Sequence, residues 1–371
     1  MHILITNDDG PPSDQSSPYV HSLVTHLQSA GHTVSVILPH TQRSWIGKAH
    51  LVGKSVSPTY YRPQPLQTTS DGRLTNHGST HDTPLPPDSK EEEWVLVDST
   101  PASCVQIGLF HYFQERGPID LVVSGPNYGR NSTAVFSLSS GTIGGAMEAA
   151  VCGAKSIALS YAFFDRNHDA QIISDASALS TRLIQHLWDH WDPSTHLYTV
   201  NVPLVEGVQR RKILYTDMLQ NSWKSGSCFQ VVETPAPTPA QPDPESTIRL
   251  QEANIAKLES AALHTSEDPA STTQPGSSSP AHDQQQTKQV HARYTHKSFK
   301  WAPLFKDVYE SVEASEPGND GWAVAQGYTS VTPLRANFMH VPGFTGEITL
   351  AEGRGESGMT AADAERQSDD R

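Results

Sequence analysis

Short apolar segments alternate with segments of helical periodicity along the first half of the chain. The apolar run His2–Thr6 predicts a buried strand, and Thr33–Leu38 predicts a second one. Between them, Ser17-Pro18 has the form of a helix N-cap followed by proline, ahead of four apolar residues at helical spacing. Those four residues are Val20, Leu23, Val24 and Leu27. A strand, a helix and a strand over so short a stretch predict a βαβ unit and therefore a parallel sheet.

The same alternation continues downstream and predicts a three-layer α/β fold with a mostly parallel sheet. The further predicted strands are Trp94–Val97, Ile119–Val123, Ser156–Leu159, Tyr198–Val202 and Gly327–Leu334, and the further predicted helices are Pro101–Phe113, Thr142–Gly153 and one near Leu183–Trp188.

Polar, low-complexity segments interrupt this pattern. Pro58–Glu93 is rich in Pro, Ser, Thr and Asp, which predicts a long loop or extended arm. Thr234–Ala292 contains no aromatic residue or cysteine and predicts a linker, with one short helix near Ile248–Leu263 as an alternative. Aromatic residues return at Tyr294, and the tail from Gly353 is again polar. We expect one domain over residues 1–340, interrupted at about 234–292, and a tail at 353–371 without fixed structure.

Composition limits the classes of partner. The 371 residues carry a formal net charge of −14, which disfavours binding to nucleic acid or to an anionic membrane. The three cysteines have no CxxC spacing, which argues against a disulfide framework or a zinc ribbon. No segment resembles a signal peptide or a membrane span, so we expect a cytoplasmic protein.

Oxygen-bearing side chains follow three of the predicted strands. Asn7-Asp8-Asp9-Gly10 follows the first strand, Gln42-Arg43-Ser44 the second, and Ser124–Asn131 the strand Ile119–Val123. In an open α/β sheet, ligands bind beyond the carboxyl ends of the strands. Carboxylate, hydroxyl and amide oxygens suit Mg²⁺, Mn²⁺ or Ca²⁺ rather than zinc. The alternative for the first segment alone is an Asx-turn with no ligand.

A second element of the candidate site is the small, glycine-rich segment Ser139–Gly145 at the start of a predicted helix. The N–H groups and positive dipole of a helix N-terminus can hold phosphate in spite of an acidic net charge. The alternative is an ordinary helix cap with small residues chosen for close packing. The segment is not a Walker A motif, because no Gly-Lys-Ser/Thr follows it.

Taken in order, these segments resemble the SurE family of survival-protein phosphatases and nucleotidases, and their details are similar to its fungal branch. The resembling segments are Asn7–Gly10, Arg43-Ser44, Thr100–Val105, Ser124-Gly125, Asn127 with Asn131, Ser140–Thr142 and Gly327–Leu334. The resemblance implies a Rossmann-like sheet, one divalent cation (Mg²⁺ or Mn²⁺, with Ca²⁺ as a further option) and hydrolysis of nucleoside 5′- or 3′-monophosphates or other phosphomonoesters. It also implies a homodimer or tetramer.

The resemblance further implies roles for individual residues. The implied metal ligands are Asp8, Asp9, Ser44 and Asn127, and the implied phosphate-binding residues are Asn131, Ser140, Gly141 and Thr142. Asp8 or Asp9 would also act as a base toward the attacking water. Lys48, beside Ser44, is a further candidate for phosphate, and its alternative is a solvated loop lysine. Ser132-Thr133-Ala134 stands where bacterial members tend to have Gly-Asp-Asp, which bears on substrate preference.

Two other classes of function compete with the phosphatase. Gly31–Val36 is a strand entry of the kind used by nucleotide-sugar-binding glycosyltransferase domains. Asp8-Asp9 argues against that class, because such domains usually place a glycine-rich turn there. A catalytically inactive scaffold is the other class, and the intact candidate ligands argue against it.

Overall fold

The computed structural model describes residues 1–164, 169–232, 297–339 and 342–343. The described residues up to 336 belong to one compact unit, and residues 337–339 and 342–343 belong to a second one. The segment Thr234–Ala292, the onset of structure at Tyr294 and the tail from Gly353 lie outside the described residues, so those expectations remain predictions.

The elements of the first unit alternate largely as the sequence predicts. The strands are β1 (His2–Thr6), β2 (Thr33–Pro39), β3 (Thr59–Pro63), β4 (Gly78–His81), β5 (Trp94–Val97), β6 (Leu121–Tyr128), β7 (Lys155–Ala162), β8 (Leu197–Pro203), β9 (Ile213–Tyr215), β10 (Phe229–Val232), β11 (Ser298–Trp301) and β12 (Thr329–Leu334). The helices are α1 (Val20–Ser29), α2 (Pro101–Phe110), α3 (Ala134–Ser139), α4 (Gly141–Val151), α5 (Ala170–Asp189), α6 (Lys306–Glu313) and α7 (Asp320–Ala325).

Ten of the described strands form one sheet in the order β4-β3-β5-β2-β1-β6-β7-β8-β12-β9. Its centre, from β5 to β8, is parallel throughout. β12 pairs antiparallel with β8, and β3 and β4 extend the opposite edge as an antiparallel hairpin. β10 and β11 pair in a separate two-stranded sheet. The predicted three-layer α/β class with a mostly parallel sheet is confirmed.

Central strands are buried on both faces, which explains their continuous apolar runs. Ile3 and Ile5 of β1 point into one core, with α1 and α5, whereas Leu4 points into the other, with α2. α4 packs against α2 on that second face. The layers therefore fix β1 and α4 relative to each other, and the candidate site lies where both of them end.

Local details depart from the predictions. Pro58–Glu93 is not only a loop, because β3 and β4 lie within it. The Tyr61 side chain of β3 is only 5% exposed and packs in the hydrophobic core. Ser17 does not cap α1, which begins after Tyr19 without a side-chain cap. Instead, the Ser17 hydroxyl donates to the carbonyl oxygen of Gly10 at 2.9 Å. Among the described residues, no helix is long and apolar enough to cross a membrane.

Candidate metal and phosphate site

The turn after β1 presents two buried carboxylates. Asn7 closes it on both sides, accepting from the Gly10 N–H at 2.9 Å and donating to the Gly10 carbonyl at 3.0 Å. The turn is therefore closed by the Asn7 side chain across three residues, one more than in an Asx-turn. It leaves Asp8 and Asp9, each 3% exposed, with carboxylates that face other elements.

Two polar side chains connect the four candidate metal ligands in pairs. The Thr142 hydroxyl oxygen lies 2.5 Å from Asp8 Oδ1 and 3.1 Å from Asn127 Oδ1. The Gln42 side-chain amide donates to Ser44 Oγ at 2.8 Å and to Asp9 Oδ1 at 3.4 Å. The structure thus brings Asp8, Asp9, Ser44 and Asn127 together from two loops and the end of β6, although their sequence positions span more than a hundred residues.

The backbone completes this arrangement. The Tyr128 N–H donates to Asp9 Oδ2 at 2.6 Å, and the Asn127 side-chain amide donates to the Gly129 carbonyl at 2.8 Å. The second bond turns the Asn127 carbonyl oxygen toward Thr142. On the other side of Asp8, the Arg43 N–H donates to its backbone carbonyl at 2.6 Å and ties the loop of Ser44 to β1.

Burial makes the Asp8 carboxyl group a weaker acid. Removal from water raises the pKa of its carboxyl from 3.8 to about 6, although bonds from the Thr142 hydroxyl and from the N–H groups of Gly141 and Thr142 oppose the rise. The N-terminus of α4 therefore faces the carboxylate of Asp8 directly. Ser140 caps this helix by accepting from the Ile143 N–H at 3.1 Å.

The chemistry of the donor set fits a hard divalent cation. Thr142 has one hydroxyl hydrogen for the oxygens of Asp8 and Asn127, so acceptors outnumber donors at this point. Among the described residues, no three His, Cys, Asp or Glu side chains cluster in a way that could hold a metal. A cation here would rely on Asp8 and Asp9 for charge and on neutral oxygens for the remaining contacts, which suits Mg²⁺ or Mn²⁺.

The four implied phosphate-binding residues differ in whether they line the pocket or contact Asp8. Asn131 and Ser140 line the same pocket as Asp8, Ser44 and Asn127. The Asn131 N–H donates to Asn201 Oδ1 at 2.8 Å, and its side-chain amide donates to Ser160 at 3.0 Å. Gly141 and Thr142 contact Asp8 instead, so their groups position a metal ligand as much as they could receive phosphate.

The Lys48 side chain forms an ion pair with Glu148. Its ammonium group is 2.5 Å from Glu148 Oε2, within α4, and His50 is 3.5 Å from the same oxygen. Glu148 has a side chain only 4% exposed, and the Lys48 and Gln106 contacts that offset its desolvation hold the pKa of its carboxyl below the usual range. The structure thus pairs Lys48 with a buried acid rather than leaving it as a solvated loop lysine.

The sequence marks Trp45 and Tyr128 as rings that could stack on a nucleobase, with burial beside the site as the alternative, but it does not predict the rest of the aromatic side of the pocket. Its walls include Trp45, Phe136, Phe163, Phe305 and Tyr309, and the Arg130 guanidinium lies 5.0 Å from the centre of the Tyr309 ring. The return of aromatic residues after the low-complexity segment was the available signal for Phe305 and Tyr309. It gave no reason to place them beside Asp8, which is almost three hundred residues away in the chain.

Fold and site together define a Rossmann-like α/β protein with an acidic, oxygen-lined site at the carboxyl ends of its central strands. The family described as "Survival protein SurE" matches residues 3–225. The chain belongs to the SurE family, and the resemblance noted from its motifs is confirmed.

Relatives support this assignment at different lengths. The 5′-nucleotidase SurE of Roseobacter denitrificans is 34% identical over 212 residues, covering 56% of this chain and 69% of that protein. A protein of Saccharomyces cerevisiae named "Probable tubulin--tyrosine ligase PBY1" is 33% identical over 378 residues. That match covers 95% of this chain but only 43% of the yeast protein, so the chain spans less than half of that relative. The yeast match agrees with the similarity to the fungal branch.

A solved structure agrees on the fold. The crystal structure of the SurE protein from Aquifex aeolicus superposes with a TM-score of 0.53 over 91% of this chain and 95% of that one, at 21% sequence identity. At this identity the likeness concerns the fold.

Proposed function

We propose that this protein is a metal-dependent phosphomonoesterase that hydrolyses nucleoside 5′- or 3′-monophosphates. The observation that carries the proposal is the convergence of Asp8, Asp9, Ser44 and Asn127 at the N-terminus of α4. The names of the bacterial relatives, which are 5′-nucleotidases, support it. The ligase name belongs to a relative of which more than half lies outside the match, and no contact described above favours that activity.

We assign the roles as follows. Asp8, Asp9, Ser44 and Asn127 hold one divalent cation, Mg²⁺ or Mn²⁺. When bound, the cation neutralises the aspartates, polarises a phosphoryl oxygen and lowers the pKa of water. Asn131 and Ser140 orient the phosphate at the pocket floor. Thr142 and Gln42 keep the ligands in register, and one of the two aspartates accepts the proton of the attacking water.

The test is phosphate release from a panel of nucleoside monophosphates after treatment with EDTA and again after adding back Mg²⁺ or Mn²⁺. Asp8→Asn and Asp9→Asn should each lower the metal-restored activity by more than about 100-fold, since even partners behind the ligands commonly cost 10- to 100-fold. Asp88→Asn, at an exposed position away from the pocket, is the matched control and should retain activity. Near-normal turnover of both site variants at sub-millimolar metal would refute the assignment.

A further inference from the structure

The short helix α3 lies between the two residues to which the proposed function assigns the phosphate. Asn131 precedes α3 and is 8% exposed, and its backbone carbonyl accepts from the Ser137 hydroxyl of α3 at 3.0 Å. Ser140 follows the last residue of α3 directly. The position of α3 therefore determines where both Asn131 and Ser140 stand in the pocket.

The residue just before α3 has a strained backbone. Thr133 has φ 73° and ψ 155°, a conformation that is rare outside glycine and unfavourable for a β-branched residue. Its buried hydroxyl oxygen has no hydrogen-bond partner among the described residues, so the side chain does not compensate for the strain. Such a conformation persists only where the surrounding structure holds it.

One buried carboxylate holds this backbone in place. Asp320, the first residue of α7, is fully buried, and its Oδ2 accepts from the Thr133 N–H at 2.9 Å. Its Oδ1 accepts from the N–H groups of Leu219 at 2.9 Å and Gly321 at 2.7 Å. The Leu219 carbonyl in turn accepts from the Ala134 N–H at 2.9 Å. Asp320 thus fixes two consecutive amides at the start of α3, one directly and one through Leu219.

The packing of α7 leaves the strained residue little room to relax. A Cβ at Gly321 would lie 3.2 Å from Thr133 Cγ2 and 2.9 Å from Val312 Cγ2, so α7 approaches Thr133 closely. The described hydrogen bonds of the Asp320 carboxylate go to Thr133, Leu219 and Gly321, and none of them goes to a candidate metal ligand. A change at Asp320 should therefore reach the phosphate side of the site before the metal side.

We propose that Asp320 is a positioning residue for phosphate binding. It holds Thr133 in its strained conformation and thereby sets α3, Asn131 and Ser140. The inference rests on the proposed function, because that function assigns the phosphate to Asn131 and Ser140. Asp320 lies outside residues 3–225, which match the family, so a residue beyond that match supports the site.

The first experiment uses Asp320→Asn, which changes the contact with Thr133 selectively. The amide carbonyl can keep the bonds from Leu219 and Gly321, whereas the amide NH₂ then opposes the Thr133 N–H. We expect the Kd for inorganic phosphate, measured by calorimetry with Mg²⁺ present, and the KM for AMP to rise about 10- to 100-fold, as small misplacements at a site commonly cost. The Mg²⁺ concentration for half-maximal activity should not change.

Asp217→Asn is the matched control, because Asp217 is an exposed aspartate in the neighbouring segment, and it should leave phosphate affinity and metal requirement unchanged. An unchanged phosphate Kd and KM in Asp320→Asn would overturn the proposal. Equal rises in phosphate Kd and metal requirement would also overturn it, since they would show a general loss of structure.

The second experiment tests the strain by rescue. Thr133→Gly removes the strain, because glycine adopts positive φ freely. Thr133→Gly/Asp320→Asn should bind phosphate about 5- to 10-fold more tightly than Asp320→Asn, which corresponds to the lower end of the strain energy of such a residue. Thr133→Ala/Asp320→Asn keeps a Cβ and should show no rescue. If Asp320→Asn alone does not fold, the comparison of the two double variants still decides, and equal behaviour of the glycine and alanine variants overturns the proposal.

Failure of the proposed function can be told apart from failure of this inference. A wild type that hydrolyses no phosphomonoester, yet binds inorganic phosphate in a way that depends on Asp320, supports the positioning role while the proposed function alone fails. A wild type that hydrolyses AMP, with Asp320→Asn unchanged in KM and phosphate Kd, overturns the positioning role alone.

Discussion

Among individual residues, Asp8 combines a place in the candidate metal site with a cost to the stability of the metal-free fold. Its carboxyl is fully removed from water, and that burial raises its pKa to about 6 from the ordinary 3.8. In the metal-free protein, a charged Asp8 therefore destabilises the fold at neutral pH. The difference between the two pKa values corresponds to about 3 kcal/mol, because each pKa unit is worth about 1.4 kcal/mol.

Asp8→Asn should therefore raise the free energy of unfolding of the metal-free protein at pH 7. We expect a gain of about 1 to 2 kcal/mol, less than the full penalty because an amide NH₂ cannot accept from the N–H groups of Gly141 and Thr142. The measurement is urea unfolding in EDTA. The variant should also lose the stabilisation that Mg²⁺ or Mn²⁺ gives the wild type, and a less stable variant in EDTA would contradict the argument.

The pH dependence of this gain has a defined sign. The folded state holds the Asp8 proton more tightly than the unfolded state, so the penalty is absent below about pH 4, grows as pH rises and is complete above about pH 6. The stability advantage of Asp8→Asn should accordingly be largest at pH 7 and shrink toward pH 4. An advantage independent of pH would show that burial of the charge is not its cause.

Gly141 and Thr142 differ sharply in their tolerance of change. A Cβ at Gly141 would lie 2.8 Å from Asp8 Oδ2 and 2.8 Å from Ile46 Cγ2, so Gly141→Ala should displace the Asp8 carboxylate. Thr142→Ser keeps the hydroxyl that bonds Asp8 and is the matched control. We expect a loss on the order of 10- to 100-fold for Gly141→Ala and little change for Thr142→Ser, measured as metal-dependent phosphate release. Full activity of Gly141→Ala would show that this approach of helix and carboxylate is dispensable.

Among the secondary-structure elements, α4 and the loop of Ser44 depend on each other. A Cβ at Gly144 would lie 2.4 Å from the Gly47 carbonyl oxygen and 2.8 Å from the Lys48 nitrogen, which are backbone atoms with little room to move. The Gly47 N–H also donates to the Ser139 carbonyl at 2.9 Å. The glycine-rich start of α4 thus lets the loop approach closely enough for Ser44 to reach the site.

Gly144→Ala should push the loop away and raise the Mg²⁺ or Mn²⁺ concentration needed for half-maximal activity by about tenfold or more. Gly108→Ala is the matched control: it is also a helical glycine, but its Cβ would meet side-chain atoms of Leu4 and Ile37, at 2.9 and 3.0 Å, and no backbone atom of the Ser44 loop. It should lower the thermal midpoint and leave the metal requirement unchanged. If the two variants had equal metal requirements, close approach at Gly144 would not position Ser44.

The sequence predicts best those elements that are buried on both faces. β1 and β5 match their predicted ranges because their apolar runs are continuous and end at polar turns. The β3–β4 hairpin escaped prediction because its strands are polar and are held mainly by the Tyr61 ring. The helix near Leu183–Trp188 is in fact part of the twenty-residue α5, whose buried side also includes Ile173, Ala176 and Leu179 in its first half.

The candidate site divides in the same way. The alternation of strands and helices predicts that Asp8-Asp9, Ser44 and Ser124–Asn131 share one edge of the sheet, whereas the choice of Asn127 within the third segment comes from the resemblance to the SurE family. The partner of Lys48 and the positions of Phe305 and Tyr309 depend on packing between distant segments. Local sequence patterns do not contain information about such long-range packing, so neither the partner of Lys48 nor the positions of the two rings could be predicted.

At the scale of the whole molecule, the described strands on either side of the long segment Thr234–Ala292 pair with each other. β10 and β11 flank it and pair antiparallel, with Val232 opposite Ser298. Paired residues in such a ladder are only about 5 Å apart. Val232 and Ser298 are therefore held close together, whatever the length of chain between them.

Replacing Thr234–Ala292 with a short Gly/Ser linker should leave phosphatase activity and the thermal midpoint nearly unchanged. Loop-closure entropy changes by only about 0.6 kcal/mol per doubling of loop length, so shortening the loop shifts stability little. The segment also lacks the aromatic residues that would offset the entropy of ordering it. The measurements are phosphate release, a thermal melt and limited proteolysis, and the replacement should remove the main cleavage site. A matched control substitutes a scrambled sequence of the same length and composition. If the scrambled chain and the shortened chain both melted well below the wild type, the native order of residues would be stabilising the domain, with Ile248–Leu263 as the first segment to test, and the linker prediction would be wrong.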